Sequence, residues 1–201
     1  MMNELISRYP CLEACKDDII AATDAIIDCY KKGGKVLLCG NGGSAADCAH
    51  IAGEMCKGFL KKRPLPDQMK NAIGEPFANT LQQALPAIDL TAQSALMTAV
   101  INDIDGDSVF AQQVMVFGKP GDVLLGISTS GNAENVRRAL LTAHALGLKT
   151  IGMTGKTGGK MPPLCDALLL SAETETYKIQ EEHIKMYHEL CILIERHFFA
   201  E

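Results

Sequence analysis

Over residues 10–32 the apolar positions Leu12, Ile19, Ile20, Ala22, Ile26, Ile27 and Tyr30 recur at helical spacing until the run Lys31-Lys32-Gly33-Gly34 stops them. The pattern predicts one helix over about 10–32 with a glycine beyond its C-terminus. "KVLLCG" (35–40) follows at once, a short continuous apolar run of the kind found in strands buried on both faces, and "GDVLLGIST" (121–129) and "KTIGMTG" (149–155) repeat it. "CDALLLS" (165–171) reads as a fourth core strand and "PAIDL" (86–90) as a fifth, shorter candidate. Between the second and third runs, Val136, Ala139, Leu140, Ala143 and Leu146 keep the 3.6-residue period before Gly147. The segment 176–198 is a long amphipathic helix whose packing face includes Ile179, Ile184, Met186, Tyr187, Leu190, Ile192 and Leu193. Strand and helix in alternation predict an α/β fold: a parallel sheet of about five strands between two helical layers, in a three-layer α/β/α sandwich.

The segment 59–86 breaks the pattern, being rich in Pro, Lys and polar residues, with one short helix expected at "FANTLQQAL" (77–85). It reads as an insertion within a single domain spanning 1–201. A chain of 201 residues with 47% hydrophobic content is long enough for one well-buried core and short for two.

Composition narrows the functional classes. No stretch supplies the roughly 20 apolar residues of a membrane helix, and acidic and polar residues stand near the N-terminus where a signal peptide has its apolar core. The reading is a cytoplasmic protein with no membrane partner. Its eight cysteines are scattered through apolar runs without a Cys-x-x-Cys unit, so free, mostly buried thiols are expected and no structural zinc site. A net charge of −5, with "KKR" at 61–63 as the one basic cluster, argues against nucleic acid as a partner.

Two loops carry the candidate chemistry. In an open parallel sheet, a loop passing from a strand's carboxyl end into a helix offers free backbone N–H groups to an anion. "CGNGGS" supplies Asn41, Gly42, Gly43 and Ser44, and "ISTSGN" supplies Ser128, Thr129 and Ser130 followed by Gly131 and Asn132. Glycines let the backbone approach a ligand, and the hydroxyls suit a phosphate monoester. Neither loop holds the lysine of a nucleotide P-loop or the spacing of a dinucleotide fold, so a sugar phosphate fits better than a nucleotide.

Behind the first loop, His50 and Glu54 lie one helical turn apart on the same face. Such a pair can bind a metal, pass a proton, or serve as a surface hydrogen bond; the many apolar neighbours predict a largely buried helix, where a carboxylate needs a partner. The last helix offers Gln180, Glu181, Glu182, His183, Lys185 and His188, and spacing does not choose between the two histidines. Glu181 and Lys185 have the spacing of a solvated ion pair, and His144 and His197 read as surface or packing residues. Asp103, ending an apolar run in "VINDIDGDS", reads as a helix-breaking turn or a site residue; the spacing of a calcium loop is missing. Asp47, in the first turns behind the glycine loop, has no assigned role.

"CGNGGSAADCAHIAGE", "IND", "GDVLLGISTSGNAENV", "TGKTGGKM" and "IQEEHIKMYHELC" together resemble the sugar isomerase (SIS) domain family and, within it, the phosphoheptose isomerases. The resemblance runs from about residue 10 to 199, apart from 59–86. It implies the SIS fold, a homotetramer with active sites between subunits, and an aldose–ketose isomerisation of sedoheptulose 7-phosphate to D-glycero-D-manno-heptose 7-phosphate through an enediol. It also implies Glu54 as base and His188 as acid, and one zinc per subunit held by His50, Glu54, Gln180 and His188. Substrate contacts are implied for Asn41, Gly42, Gly43, Ser44, Asp103, Ser128, Thr129, Ser130 and Gln180. Two positions depart from the pattern: Tyr177 stands where an Asp is usual and Ala133 where a Ser is usual. Two other readings stay open: a non-catalytic SIS module that senses a sugar phosphate or binds a replication initiator, and an isomerase of another phosphosugar.

Overall fold

The computed structural model describes residues 2–199. Its helices are α1 (Met2–Arg8), α2 (Lys16–Lys31), α3 (Gly43–Cys56), α4 (Asp67–Ile73), α5 (Ser94–Asp103), α6 (Val109–Phe117), α7 (Glu134–Ala145) and α8 (Thr176–Phe198). Its strands are β1 (Val36–Gly40), β2 (Ala87–Asp89), β3 (Val123–Ser128), β4 (Lys149–Thr154) and β5 (Ala167–Leu170).

All strand pairs are parallel, in the order β2-β1-β3-β4-β5. Successive side chains on a strand point to opposite faces, so the apolar run of β1 feeds two cores at once. Val36 and Leu38 join Ile19, Ile26, Ile51, Met186 and Leu190 from α2, α3 and α8, whereas Leu37 and Cys39 join Val100, Phe110, Val114 and Leu140 from α5, α6 and α7. This is the expected three-layer sandwich. The chain leaves β1 toward β2 and returns to β3 on the other side of β1, so the strand order reverses there. Both candidate loops leave the sheet at that point, where open α/β sheets form a crevice.

The expected helix over 10–32 is divided. Pro10–Cys15 is a 3-10 helix that buries Leu12 and Cys15, which eclipse each other at its three-residue period, and the α-helix begins only at Lys16. Gly33, at φ 75°, ends it as the pattern implied. Helix α1, ahead of it, was not anticipated. The helix expected at 77–85 is not formed: Phe77–Thr80 is a 3-10 turn, and Leu81 is already extended. Gln82 bridges Pro64 as an antiparallel pair, and its side-chain oxygen accepts the N–H groups of Gly58 and Arg63, interactions a helix there would forbid. The helix of this segment is instead α4, between Pro66 and Gly74. Glu181 and Lys185 form no ion pair among the described residues; Lys185 Nζ lies over the Tyr9 ring, 5.1 Å from its centroid. His144 and His197 are exposed, as expected.

Candidate active site

The first loop turns from β1 into α3 through Gly42, at φ 56°. Ser44 N–H is satisfied by the Asn41 carbonyl at 3.0 Å, and among the described residues the N–H groups of Gly42 and Gly43 have no acceptor. They stand exposed at the positive end of the α3 dipole. Ser44 is buried beneath them, while the carboxamide of Gln180 fills the space above Gly43, its Nε2 2.2 Å from where a Cβ on Gly43 would lie.

The second loop leaves β3 at buried Ser128, whose carbonyl accepts Gly131 N–H at 2.9 Å. Asn132 closes the turn on Ser130, its N–H donating to Oγ at 3.2 Å and its Nδ2 to the carbonyl at 2.9 Å. The segment after β4 supports this loop: Thr129 O accepts Gly155 N–H, and Gly131 O accepts Lys160 N–H. Gly131 combines φ 65° with a Cβ position 2.1 Å from Gly158 O, so only glycine fits. Asn41 and Asn135 tie the two loops together through their side chains. Sequence reasoning passed over Asn135 because its role depends on a partner far away along the chain.

Farther along α3, His50 Nε2 lies 3.3 Å from Glu54 Oε1, and Lys57 Nζ approaches Glu54 Oε2 at 2.7 Å. The expectation of a largely buried α3 holds for one face only: Ala46, Ala49, His50 and Gly53 form an exposed, side-chain-poor stripe. His188 stacks edge-to-face on His50, with ring centroids 5.1 Å apart, and packs against Phe59 at 5.5 Å. Its Nε2 is buried without a hydrogen-bond partner. Burial, with His50 beside it, lowers the His188 pKa and keeps the ring neutral near pH 7.

The structure separates the two histidines that spacing left equivalent. His183 is fully buried, with Nε2 3.3 Å from Thr154 O, and burial lowers its pKa to about 4; it is a packing residue. Asp47 acquires a role: Tyr187 Oη, 2.9 Å from His50 Nδ1, also donates to Asp47 Oδ1 at 3.4 Å, linking a buried carboxylate to the His50 ring. Asp103 is exposed at the end of α5, and its side chain accepts only from Asn102 among the described residues. The structure thus brings Asn41 to Ser44, Ser128 to Ser130 and Gln180 to one end of the crevice and His50, Glu54 and His188 to a second cluster on the same helices; it does not join Asp103 to either. The four residues expected to hold zinc do not form a cage within one chain. Gln180 rests on Gly43, more than two turns of α8 from His188, and among the described residues no three His, Cys, Asp or Glu side chains converge as metal ligands.

A doubly wound parallel sheet with two hydroxyl-bearing, lysine-free loops at its switch point defines an α/β protein with free backbone N–H groups and hydroxyls gathered at one crevice. The chain belongs to the SIS domain family, whose model matches residues 3–75 and 67–155. It is 41% identical to the phosphoheptose isomerase of Clostridium acetobutylicum over 92% of this chain and 85% of the relative. It is 44% identical to that of Desulfovibrio desulfuricans over 87% of this chain and 74% of the relative. The structure of phosphoheptose isomerase from Neisseria gonorrhoeae superposes with a TM-score of 0.78 at 35% identity, covering 96% of this chain and 94% of that one. No helix among the described residues is long and apolar enough to cross a membrane.

Proposed function

We propose that this chain is an aldose–ketose isomerase that converts sedoheptulose 7-phosphate to D-glycero-D-manno-heptose 7-phosphate. The observation that carries the reading is the pairing of an anion-binding loop system with a Glu54, His50 and His188 cluster, in a chain about 40% identical to phosphoheptose isomerases along most of its length. The N–H groups of Gly42 and Gly43 and the hydroxyls of Ser44, Ser128, Thr129 and Ser130 hold the phosphate, with Asn41 and Gln180 assigned to the sugar; Asp103, which joins neither cluster within one chain, is left out of the assignment. Glu54 takes the proton from C1, giving an enediol, and returns it to C2. His188, neutral at working pH, carries the hydroxyl proton between O1 and O2. Atoms and electrons balance within the sugar, so no external oxidant or reductant is involved.

Zinc, one per subunit, belongs to the same proposal on ligand type: two imidazoles, a carboxylate and a carboxamide are groups that can coordinate it, and bound zinc polarises a carbonyl. Since the four do not converge within one chain, the steps above rest on the chain's own groups. A homotetramer with shared active sites is proposed with it. The exposed Ala46, Ala49, His50 and Gly53 stripe supports that assembly, because it leaves a proposed site residue on an open face where a neighbouring chain can approach closely. The cytoplasm is the proposed compartment, supported by eight free cysteines.

The test is direct: purified protein is assayed with sedoheptulose 7-phosphate, and Glu54→Gln is assayed beside it. Formation of heptose 7-phosphate by the first and a loss of roughly 100-fold or more in the second are expected. Unchanged turnover in Glu54→Gln, or no product from the wild-type chain, overturns the reading.

A further inference from the structure

Glu54 and His188 stand on different helices, so their separation is set by whatever joins the end of α3 to α8. That joint is ionic and buried. Arg63 and Glu195 are each 1% exposed and paired at 2.9 Å. Glu195 Oε1 accepts the N–H of Phe59 at 2.7 Å and Arg63 Nε at 2.9 Å. Its Oε2 accepts the N–H groups of Leu60 at 2.8 Å and Lys61 at 3.1 Å. The guanidinium directs Nη1 to the Met55 carbonyl at 2.7 Å and Nη2 to that of Glu54 at 3.2 Å, groups that the last turn of a helix leaves without intrahelical partners. Phe59, whose N–H is fixed by Glu195, lays its ring against His188. The cluster thus touches the backbone of the proposed base and, through one ring, the proposed acid.

A buried ion pair is weak evidence for stability, since well-packed apolar side chains often do as well. What apolar side chains cannot do is hold three N–H groups and two carbonyls in fixed positions. The pair can: the Glu195 carboxylate accepts the three N–H groups, and the Arg63 guanidinium, a rigid fork of donors, binds the two carbonyls. We propose that Arg63 and Glu195 are positioning residues that set the placement of Glu54 relative to His188. The role in turnover rests on the acid–base reading above.

The experiment compares Arg63→Lys, which keeps the charge but loses the fork, with Asp122→Asn. Asp122 holds Lys35 and the Lys119 N–H just ahead of β1 and β3, at the opposite edge of the sheet from the loops. Both variants are measured below their melting temperatures. In Arg63→Lys, kcat falls about 10- to 100-fold with KM within about twofold, and the His188 ring signals move in histidine NMR spectra. Asp122→Asn loses stability but keeps kcat. Should Arg63→Lys not fold, Glu195→Gln, which keeps shape and one acceptor oxygen, carries the same expectation. Wild-type kcat with unmoved His188 signals in a folded variant overturns the proposal, as does an equal loss of kcat in Asp122→Asn. If the wild-type chain turns over no phosphosugar, the acid–base reading fails; the His188 signals still decide the positioning, upheld by a shift and overturned by none.

Discussion

Asn41 and Asn135 hold each other through two amide hydrogen bonds of 2.9 Å, Nδ2 of each donating to Oδ1 of the other. Asn41 belongs to the loop after β1, and Asn135 to the first turn of α7, so the pair fixes the spacing between the two loops proposed to form the phosphate cradle. Asn135 Oδ1 also accepts Val136 N–H at 2.9 Å, which locks the side chain from its own helix. Asn135→Ala removes the tie at an exposed position, so stability falls by about 1 kcal/mol or less. Steady-state kinetics are expected to show KM raised roughly 10-fold with kcat changed much less, because the loss is in substrate binding. An unaltered KM would remove the pair from the cradle.

Gly43 and Gly40 resist substitution for different reasons. A Cβ on Gly43 meets Gln180 Nε2 at 2.2 Å, the far end of a flexible side chain, whereas one on Gly40 meets the Ser44 carbonyl oxygen and Cβ at 2.9 Å. Gly43→Ala is therefore expected to fold with a loss of about 1 kcal/mol while displacing Gln180 and raising KM. Gly40→Ala forces backbone apart between β1 and α3 and costs more, about 2–4 kcal/mol. Thermal melts of the two variants check the order, and the opposite order contradicts it.

How much of this could be read from the chain depends on whether a residue acts through its neighbours in sequence or through distant ones. The three central strands were legible because burial on both faces writes a continuous apolar run, as in Val123–Ser128, whereas β2 and β5 at the sheet edges are shorter and partly half-buried. The two loops were legible because glycine and hydroxyl residues cluster where such runs end. Asn135, Tyr187 and Arg63 were not: each works through a partner on another element, and an Arg in "KKR" looks like surface charge until Glu195 is seen to enclose it. The helix expected at 77–85 failed for the same reason, since Gln82 spends its side chain on Gly58 and Arg63. The stripe of Ala46, Ala49 and Gly53 reads as a buried face by composition, yet in the single chain it is open.

His183 gives the protein an acid-sensitive element. Its pKa falls from 6.5 to about 4 because burial penalises the charged ring. Between those values the unfolded chain binds a proton that the native state does not, so stability decreases as pH falls from 6.5 toward 4. The full effect is about 3 kcal/mol, fully expressed below the folded-state value and absent near pH 7. Replacing His183 with Gln, which keeps a donor for Thr154 O, is expected to flatten this part of the stability profile in urea titrations across pH. A slope equal to that of the wild type excludes His183 as its source.

Asp47 has the opposite sign. Burial raises its pKa above 3.8, with the Tyr187 hydroxyl and His50 offsetting part of the rise, and Oδ2 has no partner. For a carboxyl whose folded-state pKa is raised, the native state holds the proton longer, so stability is lost as pH climbs from 3.8 through the raised value and stays lost at neutral pH. Asp47→Asn removes that charge and keeps an acceptor for Tyr187, so it is expected to melt at or above the wild-type temperature at pH 7. The same change weakens the hold on Tyr187 and, through it, on His50 Nδ1, so kcat is expected to fall about 10-fold, a trade of stability against activity. A variant that melts lower than wild type at pH 7 while turning over normally contradicts both halves: the carboxylate would then serve the fold and not the histidine.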